Sequence, residues 1–403
     1  MSVLATDVLT LLAHPLGLGC GCLTRTSIRT NVDCPTASFF NNKTMRILFR
    51  VQSRSRWSLV IGTALLIGVL RLLHVNHTDG RRNTSPSAIP PQSQSAVDVF
   101  KCSRNDTVNN ISSSIPPTHH NFLVYKHCRT FSRLLSPTPC QNDLFLLLAV
   151  KSTAIQVDRR SALRNTWGKM GYVQGKKVKL LFLVGKSSDT IQGYPLQQVL
   201  EWESRQFGDI LQWDFDDSFF NLTLKEIHFL KWFRLECRWA HYVFKGDDDV
   251  FVHTSNLVEY VKDNKPSEQL YAGNIMSGYP VRDKQSKYFI PVEMYPNKPY
   301  PLYAGGGGYL MSNQTVLSLE VAASSIDLFP IDDVFVGLCL QKINITLTHH
   351  SGFKTFGLKQ EVTHFNPCIY RELMVVHKLN PTEMWTMWSL QQDPKLQCFR
   401  SRT

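Results

Sequence analysis

The sequence lacks several patterns that would assign it to a common functional class. Its cysteines form no Cys-x-x-Cys pair, which argues against a structural zinc site. The glycine run Gly305–Gly308 is not followed by Gly-Lys-Ser/Thr, so a phosphate-binding P-loop is excluded. No basic-aromatic array or zinc-finger spacing accompanies the net charge of +12, and we therefore expect no nucleic-acid partner. No internal repeat is apparent.

The positive charge is concentrated near the start of the chain. Residues 1–82 hold ten Lys and Arg against three Asp, which leaves five of the twelve net charges for the other 321 residues. This basic excess flanks an uncharged run, WSLVIGTALLIGVL at Trp57–Leu70, that extends to Val75 with a single arginine. Its length and flanks predict a transmembrane signal anchor over 57–75. A cleaved secretory signal is the alternative, but no small-residue cleavage site follows.

The position of the basic residues also predicts the topology. Four arginines between Arg46 and Arg56 precede the span, so residues 1–56 are expected to be a cytosolic tail and the rest lumenal. Residues 1–44 precede a second methionine, Met45, and are interpreted as an extended start or a disordered tail. Residues 76–140 are expected to be a glycosylated stem and transition, and 141–403 a catalytic domain. We therefore expect a single-pass type II protein of the Golgi membrane.

Cysteines and glycosylation sequences fit a lumenal protein. Seven Asn-x-Ser/Thr sequences follow the span, at Asn76, Asn83, Asn105, Asn110, Asn221, Asn313 and Asn344. Seven cysteines follow it as well, and we expect three disulfides among the six from Cys128 to Cys398, with Cys339–Cys368 as the favoured pair. Cys102 lies in the stem and is expected to be free or to join two chains in a disulfide-linked dimer.

Apolar runs alternate with helical patterns from Asp143 onward. Strands are predicted at Leu144–Val150, Val178–Val184, Ile210–Trp213 and His241–Lys245, and helices at Val157–Trp167, Leu196–Phe207 and Leu222–Arg238. This alternation indicates an α/β domain with a mainly parallel central sheet. Ligands of such sheets bind beyond the carboxyl ends of the strands.

The aspartates Asp247, Asp248 and Asp249 follow the last of these predicted strands. Three adjacent carboxylates repel one another unless a cation or solvent lies between them, and oxygen ligands suit Mg²⁺ or Mn²⁺. A solvated acidic turn is the alternative, but the flanking segments are strongly apolar. The triplet therefore predicts a divalent-metal site.

A second acidic pair, Asp332 and Asp333, precedes an apolar helical pattern. Asp332 is expected to cap that helix, and a carboxylate facing the cleft could accept a proton from a sugar hydroxyl. The glycine run between Tyr303 and Tyr309 is expected to be a loop that contacts sugar, since a plain turn would not need four glycines. A lone histidine such as His377 is usually structural.

Several motifs together resemble one known family. They are RRSALRNTWG at Arg159–Gly168, LLFLVG at Leu180–Gly185, DFDDSFFNLTLK at Asp214–Lys225, FKGDDDVFV, YAGGGGYLMS, PIDDVFVG and VVHK. They resemble the β-1,3-glycosyltransferases of family 31 over about residues 140–398. The glycine and Ile-Asp-Asp-Val motifs look like the β-1,3-N-acetylglucosaminyltransferase branch, especially members that extend lactosamine chains and mucin-type cores.

The resemblance implies a GT-A-like fold and inverting transfer of N-acetylglucosamine from UDP-GlcNAc. It implies that Asp249 and His377 bind Mn²⁺ and that Asp333 is the general base. Asp247 and Asp248 would contact the ribose and the donor sugar. The residues implied on the nucleotide side are Lys151, Arg160 and Arg164.

The implied acceptor is a galactose-terminated glycan on a glycoprotein or glycolipid. A galactosyl- or N-acetylgalactosaminyltransferase of the same family is the first alternative. A lumenal glycan-binding protein without catalysis is the second, although retention of Asp249 and Asp333 argues against it.

Overall fold

The structure, a computed structural model, describes residues 102–106, 115–296, 298–358 and 365–398. The predicted anchor at 57–75 and most of the predicted stem lie outside these residues. Among the described residues, every helix falls short of the length and apolar character needed to span a membrane.

The strands and helices alternate along most of the chain. The strands are β1 Arg133–Leu135, β2 Leu144–Lys151, β3 Gly171–Val173, β4 Lys176–Lys186, β5 Thr190–Ile191, β6 Tyr194–Pro195, β7 Ile210–Asp216, β8 Tyr242–Asp247, β9 Val250–Val252, β10 Tyr271–Met276, β11 Tyr303–Ser312, β12 Thr348–His349, β13 Phe353–Lys354 and β14 Val375–His377. The helices are α1 Pro117–Tyr125, α2 Val157–Asn165, α3 Leu196–Phe207, α4 Leu222–Trp232, α5 Thr254–Val261, α6 Asn313–Ser324, α7 Asp332–Lys342, α8 Pro367–Glu372 and α9 Pro381–Gln392.

A mixed sheet forms the centre of the described region. Within the described residues it has nine strands in the order β1-β7-β4-β2-β8-β11-β10-β12, with β3 paired to β4. Strands β7, β4, β2 and β8 are mutually parallel, whereas β11 is antiparallel to β8. The prediction of an α/β domain is confirmed, and the sheet is parallel at its centre and mixed toward its edges.

Strand β2 shows why the central strands read as continuous apolar runs. All eight of its residues are buried, as expected for a strand with parallel neighbours and helices on both faces. Leu147 and Ala149 belong to one hydrophobic core, and Leu146 and Leu148 belong to the other, because successive side chains point to opposite faces. The sheet therefore separates two cores.

Most predicted elements are confirmed, with shifted ends. Helix α3 has the predicted bounds, whereas β7 and β8 extend beyond theirs to Asp216 and Asp247. The predicted helix over 222–238 is α-helical only to Trp232 and continues as a π-helical turn to Cys237. Asp247 is thus the last residue of a strand and not part of the following turn.

The predicted disulfides were wrong in two respects. Cys102 pairs with Cys128, so it is neither free nor available to link two chains. Cys339 is a free thiol, 1% exposed on α7 inside a core, so the expected Cys339–Cys368 bond does not form. The other bonds are Cys140–Cys237 and Cys368–Cys398.

Candidate active site

Two short strand pairings bring the acidic triplet next to a histidine. The triplet begins at the carboxyl end of β8, and β9 follows it at once. Strand β14 pairs antiparallel with β9, and this register places His377 opposite Val250. Because Val250 directly follows Asp249, the pairing carries the histidine to the acidic turn.

Asp247, Asp249 and His377 form the carboxylate–histidine cluster. One ligand atom from each lies within 4.8 Å of the others. His377 Nε2 is 3.0 Å from Asp249 Oδ1 and 3.9 Å from Asp247 Oδ2. The side chains are 18–32% exposed, so the cluster is open to solvent on one side.

The ring of His377 is oriented by the backbone. Its Nδ1 lies 2.7 Å from the carbonyl oxygen of Thr355, so Nδ1–H donates and Nε2 faces the carboxylates. Burial opposes the charged ring, but the hydrogen bond and charge of Asp249 raise the pKa of His377. Burial likewise opposes ionisation of Asp249, yet His377 and Arg159 lower the pKa of its carboxyl. The carboxylate and the protonated ring therefore stabilise each other.

The cluster fits a divalent cation. Two carboxylates and an imidazole Nε2 held by a backbone hydrogen bond form a donor set suited to Mn²⁺. Asp247 belongs to this set, whereas the resemblance placed it toward the ribose or donor sugar. Asp247, Asp249 and His377 would hold the cation together.

Asp248 points away from the cluster. Its Oδ1 accepts a hydrogen bond of 2.8 Å from Arg159 Nη1, which is also 3.5 Å from Asp249 Oδ2. The Asp248 side chain is 9% exposed, whereas that of Arg159 is 30% exposed. Asp248 therefore orients a partly exposed guanidinium at the edge of the cluster.

The glycine run is part of a strand, which corrects the predicted loop. Residues 305–308 lie within β11, but the pairing with β10 moves from Ala304↔Ile275 to Tyr309↔Gly273. Four glycines therefore oppose one residue of β10 and form a large β-bulge. Bulges redirect the chain without ending the strand.

The bulge leaves room for functional side chains. A Cβ on Gly306 would lie 2.6 Å from Asp333 Oδ1, and one on Gly307 would lie 2.9 Å from His377 Nδ1. A Cβ on Gly305 would lie 2.7 Å from the hydroxyl of Thr355. Glycine is needed at these positions because Asp333, His377 and Thr355 occupy the space that a larger side chain would fill.

Asp332 does not cap its helix as predicted. It is the first residue of α7, and its carboxylate accepts a hydrogen bond of 2.7 Å from Lys151 Nζ. Lys151 also lies 3.0 Å from Asp247, its partner in the β2–β8 register. Helix α7 lacks a side-chain cap at Ile331, so the expected cap is replaced by an ion pair.

Lys151 is only 6% exposed and joins two acidic elements. Burial opposes its charge, but Asp247, Asp332 and Asp333 raise the pKa of the Lys151 ammonium well above its ordinary value. It therefore remains protonated and fixes the α7 N-terminus against the end of β8.

The surroundings of Lys151 favour its charged form, whereas those of Asp333 favour its neutral form. Burial and the neighbouring charge of Asp332 raise the pKa of its carboxyl to about 8. Among the described residues, no group forms a hydrogen bond with its Oδ1. Asp333 as a whole is half-buried, and a carboxylate with an unbonded oxygen and a pKa near neutrality has the properties of a general base.

Arg160 and Arg164 do not reach this cleft, which corrects their assignment to the nucleotide side. Arg160 is fully buried and bonds to Glu203 through Nε and Nη2 at 2.8 Å. Arg164 bonds to Glu203 at 2.6 Å and to Asp209 at 2.7 Å. We call Arg160, Arg164, Glu203 and Asp209 the buried ion-pair network.

Arg159 is the arginine of this segment that reaches the site, and it was not among the predicted site residues. The signal was present in the helical spacing. Arg160 and Arg164 are four residues apart with Leu163 beside them, so they share the core-facing side of α2. Arg159 is one residue away, about 100° around the helix, and faces the acidic turn.

Comparison with known proteins agrees with this geometry. A family model described as "Galactosyltransferase" matches residues 158–351, which contain the acidic triplet, the glycine bulge and Asp333. N-acetyllactosaminide β-1,3-N-acetylglucosaminyltransferase 4 of Mus musculus is 49% identical over 300 residues, covering 74% of this chain and 85% of the relative. The chain belongs to the galactosyltransferase family.

Two further relatives have related names. UDP-GlcNAc:βGal β-1,3-N-acetylglucosaminyltransferase 7 of Rattus norvegicus is 45% identical, with 76% of this chain and 80% of the relative covered. Acetylgalactosaminyl-O-glycosyl-glycoprotein β-1,3-N-acetylglucosaminyltransferase of Homo sapiens is 39% identical, with 78% and 85% covered. The resemblance to this branch and the prediction of a glycosyltransferase are confirmed.

Proposed function

We propose that this enzyme transfers N-acetylglucosamine from UDP-GlcNAc, with inversion, in β-1,3 linkage to a galactose-terminated glycan. The names of the three relatives support the donor, the linkage and an acceptor of the lactosamine or mucin type. The central parallel strands with carboxylates at their carboxyl ends support a GT-A-like arrangement.

The observation that carries the proposal is the position of Asp333. Its carboxylate lies against Gly306, one residue from the glycine that contacts His377, and so faces the same bulge as the cluster. An inverting displacement needs a base on the acceptor side of the sugar and charge stabilisation on the diphosphate side. In the proposed reaction, Asp333 takes the proton from the acceptor hydroxyl while the cluster lies on the departing diphosphate side.

Asp247, Asp249 and His377 are the residues that would hold Mn²⁺. When bound, the cation supplies Lewis-acid neutralisation of the charge that develops on UDP, so no protein acid is needed at that oxygen. His377 keeps Nε2 directed to the site through its bond to Thr355, and Lys151 holds the Asp247 side chain.

Arg159 is proposed to bind the diphosphate beside this site. Its guanidinium is held by Asp248 and remains partly exposed, and planar guanidinium groups pair well with phosphate oxygens. This role replaces the one predicted for Arg160 and Arg164. Asp248 then contributes by orienting Arg159.

The remaining organisation is proposed from the sequence. We propose residues 1–56 as a cytosolic tail, 57–75 as the anchor, 76–140 as stem and transition, and 141–403 as the lumenal catalytic domain of a Golgi membrane protein. The basic flank of the apolar run supports this orientation, and the three disulfides of the described region suit an oxidising compartment.

The test is turnover of the full chain in detergent with UDP-GlcNAc, UDP-galactose or UDP-N-acetylgalactosamine and with lactosamine or mucin-core acceptors. We expect transfer from UDP-GlcNAc, loss of transfer with excess chelator, and recovery with Mn²⁺. Asp249→Asn should weaken UDP binding measured by calorimetry with Mn²⁺. Preference for another donor would overturn the proposed donor, and donor binding without transfer would favour the binding-protein alternative.

A further inference from the structure

The three glycosylation sequences in the described core have different surroundings. Asn221, Asn313 and Asn344 each begin an Asn-x-Thr sequence. An N-linked glycan replaces one of the two hydrogens on the asparagine Nδ2, so the folded protein must leave at least one of them without a hydrogen bond and the nitrogen exposed. The three sites can be compared on these two requirements.

Asn344 meets both requirements. It follows the last turn of α7, is exposed, and has a φ of 53°. Asparagine adopts this left-handed conformation more readily than most residues do. Among the described residues, its side-chain amide has no hydrogen-bond partner. Thr346 is exposed, while the intervening Ile345 is 4% exposed and anchors the turn.

Asn313 meets neither requirement. It is half-buried at the start of α6, and its Nδ2 donates to the carbonyl oxygens of Arg238 at 2.7 Å and Ala240 at 2.8 Å. Both amide hydrogens are therefore in use, and a glycan would break one bond. Thr315 is fully buried.

Asn221 lies between these extremes. It is half-buried, and its Nδ2 donates one hydrogen bond of 2.8 Å, to the carbonyl oxygen of Asp216. The extremes, Asn344 and Asn313, provide the sharper contrast.

We propose that Asn344 carries an N-linked glycan in the mature protein and that Asn313 does not, an inference that rests on the proposed lumenal topology. The co-reactant is a lipid pyrophosphate-linked oligosaccharide. The bond between its anomeric carbon and the pyrophosphate oxygen breaks, a bond to Asn344 Nδ2 forms, and a proton and the lipid pyrophosphate are released.

The position of Asn344 keeps a glycan away from the reaction. Asp332 and Asp333 begin α7, and Asn344 follows its other end. Eleven helical residues at 1.5 Å per residue span about 16 Å, so the sugar would leave the fold well away from the base. Activity should therefore be indifferent to this modification.

The experiment expresses the full chain and two variants, Asn344→Gln and the matched control Asn313→Gln, in mammalian cells. Purified protein is treated with peptide N-glycosidase in ¹⁸O-water, and each asparagine is scored by peptide mass. We expect isotope-labelled aspartate at 344 in most molecules and unmodified asparagine at 313. Asn344→Gln should lose the mass of one glycan with unchanged transfer, and Asn313→Gln should lose none.

Two results would overturn the proposal. Asparagine 344 without a glycan, in a chain whose stem asparagines are glycosylated, would refute this inference and leave the lumenal topology intact. A glycan on Asn313 would refute the hydrogen-bond argument. If every site in the chain is unmodified, the proposed topology fails together with the inference.

Discussion

The carboxylate–histidine cluster and the buried ion-pair network contain similar charged groups but differ in how the charges are matched. In the network, two arginines meet two carboxylates, and the four side chains are at most 9% exposed. In the cluster, two carboxylates share one histidine and remain open to solvent, and Lys151 and Arg159 contact them from the protein side. The fully buried ion pairs belong to the framework, whereas the solvent-facing carboxylates mark the place for an external cation.

The pKa values show the same contrast. In the network, burial alone would raise the pKa of Glu203, but Arg160 and Arg164 lower it below its ordinary value. Beside the cluster, burial and Asp332 raise the pKa of Asp333, because Lys151 and Lys245 oppose them only in part. The direction of the pKa shift of a carboxyl group therefore depends on whether nearby cations outweigh burial.

The largest expected effect is on catalysis. Asp333→Asn keeps the side-chain size but removes the basic lone pair, and kcat should fall by about 10²–10⁴-fold, the usual contribution of a general base. UDP binding with Mn²⁺ should hardly change, because Asp333 lies outside the carboxylate–histidine cluster. Steady-state transfer and calorimetry on the same sample measure both quantities.

Asp332→Asn is the matched control for that variant. It weakens the ion pair with Lys151 and should lower stability, while kcat falls much less. If Asp332→Asn is the inactive variant and Asp333→Asn the active one, the two roles are reversed.

The next effect is on stability. Arg160→Met leaves Glu203 buried with one of its two arginines, and removing a partner from a buried ion pair costs about 3–5 kcal/mol. We expect the free energy of unfolding in urea to fall by this amount, with kcat per folded molecule retained. Lys262→Met, at an exposed pair with Glu259, is the control and should change stability by about 0.5 kcal/mol or less. A large loss of UDP affinity in folded Arg160→Met would restore its predicted role at the nucleotide.

The smallest effect concerns pH. The pKa of Asp333 is raised to about 8 in the folded chain, so between its unfolded pKa and pH 8 the folded state holds a proton that the unfolded state has lost. Stability contributed by this group therefore falls as pH rises, by about 2 kcal/mol from pH 6 to pH 8. Asp333→Asn should remove this dependence, so the variant gains stability relative to the wild type as pH rises.

Chemical unfolding of both proteins in chelator at pH 6 and pH 8 measures this difference. If the difference in unfolding free energy between Asp333→Asn and the wild type is the same at pH 6 and pH 8, the pKa of Asp333 lies outside this range. Asp332→Asn should show a smaller gain, because it removes the Asp332 charge but leaves the burial that is the larger cause of the raised pKa of Asp333.

Local sequence patterns determined the elements and the residue types of the site. Continuous apolar runs such as β2 can be recognised because a strand buried on both faces has no polar positions. The acidic triplet could be placed at a strand end because it follows a short apolar run. The combined motifs predicted the family. These features depend on neighbours in the chain.

Tertiary structure alone decided which charges meet. The strand pairing of β9 with β14 brings His377 to Asp249, and the α2–α3 contact turns Arg160 and Arg164 into framework residues. Cys102 forms a disulfide with Cys128, and Asp332 forms an ion pair with Lys151. The glycine run is part of a strand, and Asp333 and His377 occupy the space that larger side chains would fill there. Each outcome depends on contacts between distant segments, and side-chain type alone cannot distinguish a charge that will be neutralised inside the fold from one that will face the cleft.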